Sequence, residues 1–183
     1  MFDSNLGFKL IQIRKNKYHF NESFLREMIY RFYSHNSKSC IKYIVSVKEY
    51  PNGLLTLDYY PKIKLTPKIN SRDSIQDLRY RMLTKQNSFG FIGGTILDIM
   101  VDIRQQFKRD TWGFVAANLI REISNENNKR YKTYKEILRR SFKERYIVFG
   151  NRKNSVIFVI PVEREKEHFN IVADYEKIFA ETN

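Results

Sequence analysis

The sequence predicts an α+β protein, a mixed and mainly antiparallel sheet flanked by helices. Three observations predict it. Residues 40–60 alternate apolar and polar side chains on either side of an Asn52-Gly53 reversal, the pattern of an antiparallel hairpin. Ile96, Ile99, Met100, Ile103 and Phe107 recur at the spacing of one helix face. An apolar run at 115–120 is followed by a tyrosine-bearing helical stretch and then by a second hairpin, 146–149 with 156–160. Strand and helix signals are therefore interleaved along the chain.

Taken in order, residues 8–13 and 17–20 read as one strand or a small hairpin. Asn21 is placed to cap a helix with Phe24, Leu25, Met28, Ile29 and Phe32 at three-four spacing, ended by the polar residues 34–38. In the first hairpin Ile41, Tyr43, Val45 and Val47 point one way, and Lys42, Ser46 and Lys48 the other. After its turn Leu55, Leu57 and Tyr59 alternate with Thr56, Asp58 and Tyr60. Residues 61–67 are extended and basic, and a helical stretch from Ser71 sets Ile75, Leu78, Met82 and Leu83 on one face. A Gly-rich turn, 90–94, precedes the helix of Ile96 to Phe107. The run 112–120 reads as a buried strand, with 115–120 central in the sheet and 146–149 beside it. The tyrosine helix extends from about Asn127 to Phe142, and the second hairpin turns at 150–154. A last helix, 169–180, uses Val172, Tyr175, Ile178 and Phe179.

The composition bounds the function. A chain of 183 residues with 42% hydrophobic and 15% aromatic residues buries a single core, so we read 1–183 as one domain. Lys and Arg number 33 against 20 Asp and Glu, a net charge of +13 that concentrates acidic partners around the chain, RNA or DNA among them. A homodimer or a partner protein is compatible with the same charge. Cys40 stands alone, which excludes an internal disulfide framework and suits a reducing cytoplasm; it reads as a small buried residue. The first residues lack a basic segment followed by an apolar one, and no apolar run is long enough for a membrane span. His19, His35 and His168 are far apart and show no metal-ligand spacing, so no metal is expected.

Two segments suggest chemistry. Gly93, Gly94 and Thr95 open the helix that follows the Gly-rich turn, where bare N–H groups could hold a diphosphate. A Gly-Gly turn that does no more than start a helix fits the same residues. Asn127 and Tyr134 lie seven residues apart on a helical stretch that follows an apolar strand. There, Tyr131, Tyr134 and Leu138 equally form an ordinary stripe facing a sheet.

With the order strand, Asn-initiated helix, hairpin, these residues resemble acyl-coenzyme A N-acyltransferases of the GNAT type. The resemblance covers roughly residues 40–160, by element order more than by motif. It implies a GNAT-like core, acetyl-coenzyme A held at Gly93, Gly94, Thr95 and Asn127, and Tyr134 as the acid that protonates the departing thiolate. Asp58 or Glu122 would then take the amine proton through water, while Asp98 is expected to be solvated. The glycines are adjacent and no Arg stands among residues 88–92 just before them, a departure from the family's usual loop. The stretch 95–142 is also similar to a family of uncharacterised small proteins of Bacteroidetes-type bacteria, which implies no activity.

Cations interleave with aromatics at Lys129, Arg130, Arg139 and Arg140, and Arg152 and Lys153 occupy the hairpin turn; such a face could hold phosphates and stack bases. Three functions follow. The first is an N-acyltransferase acting on an amine of an acidic or nucleic-acid-bound substrate, charged tRNA for example, which would make it toxin-like. The others are a non-enzymatic nucleic-acid-binding or defence-system accessory protein, and an interaction subunit that docks an acidic partner.

Overall fold

The computed structural model describes residues 6–16, 24–35, 40–62, 89–116 and 126–181, the side chains of 89 and 178–181 excepted. Four strands come first: β1 (Phe8–Lys15), β2 (Arg26–His35), β3 (Cys40–Glu49) and β4 (Leu54–Pro61). Helix α1 (Phe89–Phe107) then leads to β5 (Thr111–Val115). Helix α2 (Lys129–Ser141) leads to the hairpin of β6 (Tyr146–Asn151) and β7 (Val156–Pro161). A 3₁₀ turn, Val162–Glu167, passes into α3 (His168–Glu181). Across the sheet the order is β1-β2-β3-β4-β5-β7-β6. Neighbours are antiparallel except β4 and β5, which run parallel, so the fold is α+β with a mixed, mainly antiparallel sheet.

Helices cover both faces. On one, Ile96, Ile99 and Ile103 of α1 and Tyr131 and Leu138 of α2 pack on Tyr30, Val45, Leu57 and Val159. On the other, Ile171 and Tyr175 of α3 pack on Tyr50, Leu54, Phe158 and Ile160. Strand β7 feeds both cores, Ile157 and Val159 the first and Val156, Phe158 and Ile160 the second, which explains its unbroken apolar sequence. Each such side chain contributes about 1.5–3 kcal/mol on burial. A surface ion pair gives about 0–1 kcal/mol, so β7 outweighs the exposed salt bridges as an anchor.

A carboxylate is buried at the rim of the first core. Glu49, 3% exposed at the end of β3, accepts from Arg26 of β2 and from Arg109 Nε at 2.9 Å. Arg26 also lies over the Phe107 ring, 4.4 Å from its centre. The carboxylate thereby ties β2 and β3 to the turn between α1 and β5.

The two hairpins and the three helices lie where the sequence predicts them. Residues 24–32 do not form a helix: β2 is a strand with Met28, Tyr30, Phe32 and Ser34 buried in alternation. Met28 and Phe32 satisfy both periods; Tyr30 and Ser34 between them, and the pairing of β2 with β3 from Arg26 to His35, decide for the strand. Residues 90–94 are not a turn but the first part of α1. The central strand is 111–115 rather than 115–120, and residues 117–120 lie outside the described residues. Its neighbour is β7, not 146–149, because the hairpin folds its second arm inward. Cys40 is exposed, since it is the first residue of β3 and pairs with His35, the last of β2, at the end of the sheet. Asp98 is half-buried on α1, not solvated. The helical stretch expected from Ser71 and the segment 17–20 lie outside the described residues. Among the described residues no helix is long and apolar enough to cross a membrane.

Candidate functional site

The site is built on the seam between β4 and β5. The two strands pair over three positions, Leu54 with Thr111, Leu55 with Trp112 and Thr56 with Gly113. Beyond these, β4 continues to Pro61 as a partner of β3, and β5 continues to Val115 as a partner of β7. The parallel seam thus opens at the carboxyl ends of its strands.

The joined end is held from the α3 side. Tyr175 Oη accepts from Leu55 N at 3.0 Å and shares its proton between the carbonyls of Leu55 (2.6 Å) and Thr111 (3.0 Å). The ring lies flat against Gly113, where a Cβ would fall 2.4 Å from a ring carbon, so the position requires glycine for close approach.

The open end is bridged from the α2 side. Asn128 starts this helix: its side-chain oxygen accepts from Tyr131 N at 2.8 Å, and its amide group donates to the Ala116 carbonyl. Asn128 N donates to Ser155 Oγ at 3.2 Å, so one buried residue joins the end of β5, the start of α2 and the β6–β7 turn. Asn127 lies one residue outside the helix at φ 49°, a left-handed conformation that Asn tolerates. With the start thus fixed, Tyr131 and Leu138 are buried, and Tyr134 reaches across to β4. The Tyr134 and Tyr59 hydroxyls are 2.6 Å apart. Burial, and then the Tyr134 hydroxyl, push Tyr59 well above the ordinary tyrosine pKa. Tyr59 is therefore a neutral phenol throughout the working pH range.

The other expected site residues are dispersed. Asp58 is exposed on the opposite sheet face from Tyr59, with Ser46 as its cross-strand partner and Lys48 as its electrostatic neighbour. Glu122 lies outside the described residues. Gly93, Gly94 and Thr95 are the fifth to seventh residues of α1. Backbone N–H groups that far into a helix bond to the carbonyl four residues back. Thr95 is fully buried; its hydroxyl donates to Phe91 O at 2.7 Å and accepts from Leu6 N at 3.0 Å.

The six expected nucleic-acid contacts form two groups along α2. Lys129 and Arg130 at its start adjoin Arg152 and Lys153, because Asn127 N donates to Arg152 O at 2.8 Å. Arg139 and Arg140 near its end both reach Glu136, at 3.9 and 2.7 Å, and Arg140 holds the Glu136 carboxyl below its ordinary pKa. Beyond that end is a cavity of about 340 Å³ between α1, β5 and the α2–β6 turn. Arg104, Lys143 and Arg145 join Arg140 in lining it.

Sequence reasoning missed Tyr59, Asn128, Tyr175 and Arg104. Tyr59 shares a strand face with Leu55 and Leu57, and a hydroxyl at a core-facing position needs a partner, a usable signal. Arg104 comes from another helix, and nothing local marks it. Among the described residues no group of His, Cys, Asp or Glu side chains is arranged to hold a metal ion. Comparison of the chain with protein-family models, with curated proteins and with solved structures returns no match.

Proposed function

We propose that the chain is a GNAT-like N-acyltransferase that moves an acyl group from acyl-coenzyme A to an amine of an acidic or nucleic-acid-bound substrate. The observation that carries this reading is the seam that opens beyond Thr56 and Gly113, with paired tyrosine hydroxyls on one side of it. Ligands of open sheets bind outside the carboxyl ends of parallel strands. A strand edge that has lost its neighbour offers N–H and C=O groups to an extended, amide-bearing molecule. The β4 residues from Leu57 to Tyr60 therefore suit the pantetheine arm. The fit is to this arm and the thioester rather than to the diphosphate, because Gly93, Gly94 and Thr95 lie within α1.

The acyl thioester supplies the activated carbonyl. Tyr134 is the proton donor to the departing sulfur, held in place by Tyr59. Tyr59 stays neutral, so the pair always has a proton to give. Asp58, next in the chain but on the other sheet face, is the acceptor of the amine proton through water. The opening lies between them, so proton donation and proton removal occur on opposite sides of the sheet.

The test is thermal denaturation with and without acetyl-coenzyme A. At 100-fold over Kd, one-site binding stabilises by about 2.7 kcal/mol. A melting temperature unchanged at millimolar acetyl-coenzyme A would reject the reading.

A further inference from the structure

The cavity beyond the end of α2 differs in character from the rest of the basic surface. Four of its lining residues are cations, Arg104, Arg140, Lys143 and Arg145, against the single carboxylate of Glu144. Arg104 and Arg140 are partly neutralised by Asp110 (3.5 Å) and Glu136 (2.7 Å). Among the described residues, Lys143 and Arg145 have no such partner. The lining is otherwise largely apolar, with Met100, Val101, Phe142 and the buried Trp112, and Arg104 lies over the Tyr146 ring, 5.8 Å from its centre. Phe142 and Tyr146 are half-buried there, ring centres 5.0 Å apart and edge to face. A lining of cations and aromatic rings suits a molecule with a planar body and a phosphate.

The surroundings select among such molecules. Lys129, Lys132, Arg139 and Arg140 stand on α2, a helix of 13 residues whose end meets the cavity. At 1.5 Å per residue the span from Lys129 to Arg140 makes a row of cations about 17 Å long, with Glu136 within it beside Arg139 and Arg140. A row leading into a pocket matches a chain of phosphates rather than a lone small molecule. A duplex would present phosphates to the row and leave the rings unused, because its bases are paired and stacked.

We propose that the cavity takes one unpaired nucleotide of a single-stranded nucleic acid whose neighbouring phosphates follow the outer face of α2. The inference stands independently of acyl transfer. Lys143 and Arg145 hold the phosphate of the inserted nucleotide, and Phe142 and Tyr146 contact its base.

The test measures binding of the full chain to a fluorescent 12-nucleotide single-stranded RNA of mixed sequence, across a salt series. Lys143→Gln with Arg145→Gln weakens binding about tenfold at low salt and lowers the slope of log K against log salt by about 0.7, the value for one phosphate on a single strand. Phe142→Leu keeps the apolar volume and removes the ring, so binding weakens several-fold with the slope unchanged. Lys9→Gln with Lys15→Gln, on the distant exposed β1, removes the same charge and changes binding less than about twofold. Circular dichroism confirms that each variant is folded. Equal losses in the two double variants would show a diffuse field and overturn the proposal. So would a wild type that does not bind, that prefers duplex, or that binds phosphatidylserine vesicles better than the RNA.

Discussion

The two ends of the β4–β5 seam use the same side chain for opposite purposes. At the joined end Tyr175 comes from α3, and its hydroxyl spends its hydrogen-bonding capacity on backbone groups of both strands. At the open end Tyr134 comes from α2 on the other face and meets another side-chain hydroxyl, Tyr59. A phenol bonded to buried backbone is structural, because nothing can replace its partners without unfolding the seam. A phenol bonded to a second phenol beside a gap can exchange that partner for a ligand. Burial and partner type, more than residue type, separate a tyrosine locked to the backbone from one whose partner a ligand could replace.

The largest expected effect belongs to the open end. Tyr134→Phe retains the ring and its packing, and cuts acyl transfer about 10²–10⁴-fold if proton donation is lost. Tyr131→Phe, one turn earlier with its hydroxyl 3.4 Å from Lys135 Nζ, leaves turnover within a few-fold. Steady-state kinetics on the two variants separates them; equal activity of Tyr134→Phe and wild type removes Tyr134 from the chemistry.

Next comes the joined end. Gly113→Ala brings a methyl to 2.4 Å from the Tyr175 ring and must displace it, costing about 3 kcal/mol in chemical denaturation. Tyr175→Phe leaves the ring in place but strips Leu55 and Thr111 of their shared partner, costing about 1–3 kcal/mol. If either change is silent, the joined end is not held by this tyrosine.

The smallest effect is at high pH. Burial raises both Tyr59 and Tyr175 above the ordinary tyrosine value. A raised folded pKa means that the folded state favours the neutral phenol. The stability this confers is fully present below the unfolded value of about 10 and is lost as pH rises further. Melts between neutral pH and strong alkali should be flat until about pH 10, and Tyr175→Phe should decline less steeply beyond it. An equally steep decline in the variant would assign the alkaline loss to other groups.

The outline of this comparison was legible in the sequence only where one period dominated. The hairpin at 40–60 alternates without ambiguity, that at 146–160 shows as two apolar runs around a Gly-Asn turn, and Ile96, Ile99 and Ile103 admit no strand reading. Strand β2 was misread because Met28 and Phe32 sit on a helix face as readily as on a strand face, and only pairing with β3 breaks the tie. The place of Tyr134 on its helix was legible, yet its partner was not, because the meeting with Tyr59 spans 75 positions in sequence. The opening itself is a matter of register: three pairs form and the next do not, which no local pattern encodes. The cap fell one residue from its expected place for a similar reason, since Ala116 and Ser155 select Asn128 over Asn127.

Amide hydrogen exchange with and without acetyl-coenzyme A tests the central claim most directly. Added protection is expected at Leu57 to Tyr60 of β4 and at Val115, and no change at Leu54 to Thr56, which Thr111 to Gly113 already cover, or at Ala116, whose N–H already donates to Ser155 O. Protection absent from the open end, or spread evenly over both ends of the seam, would contradict it.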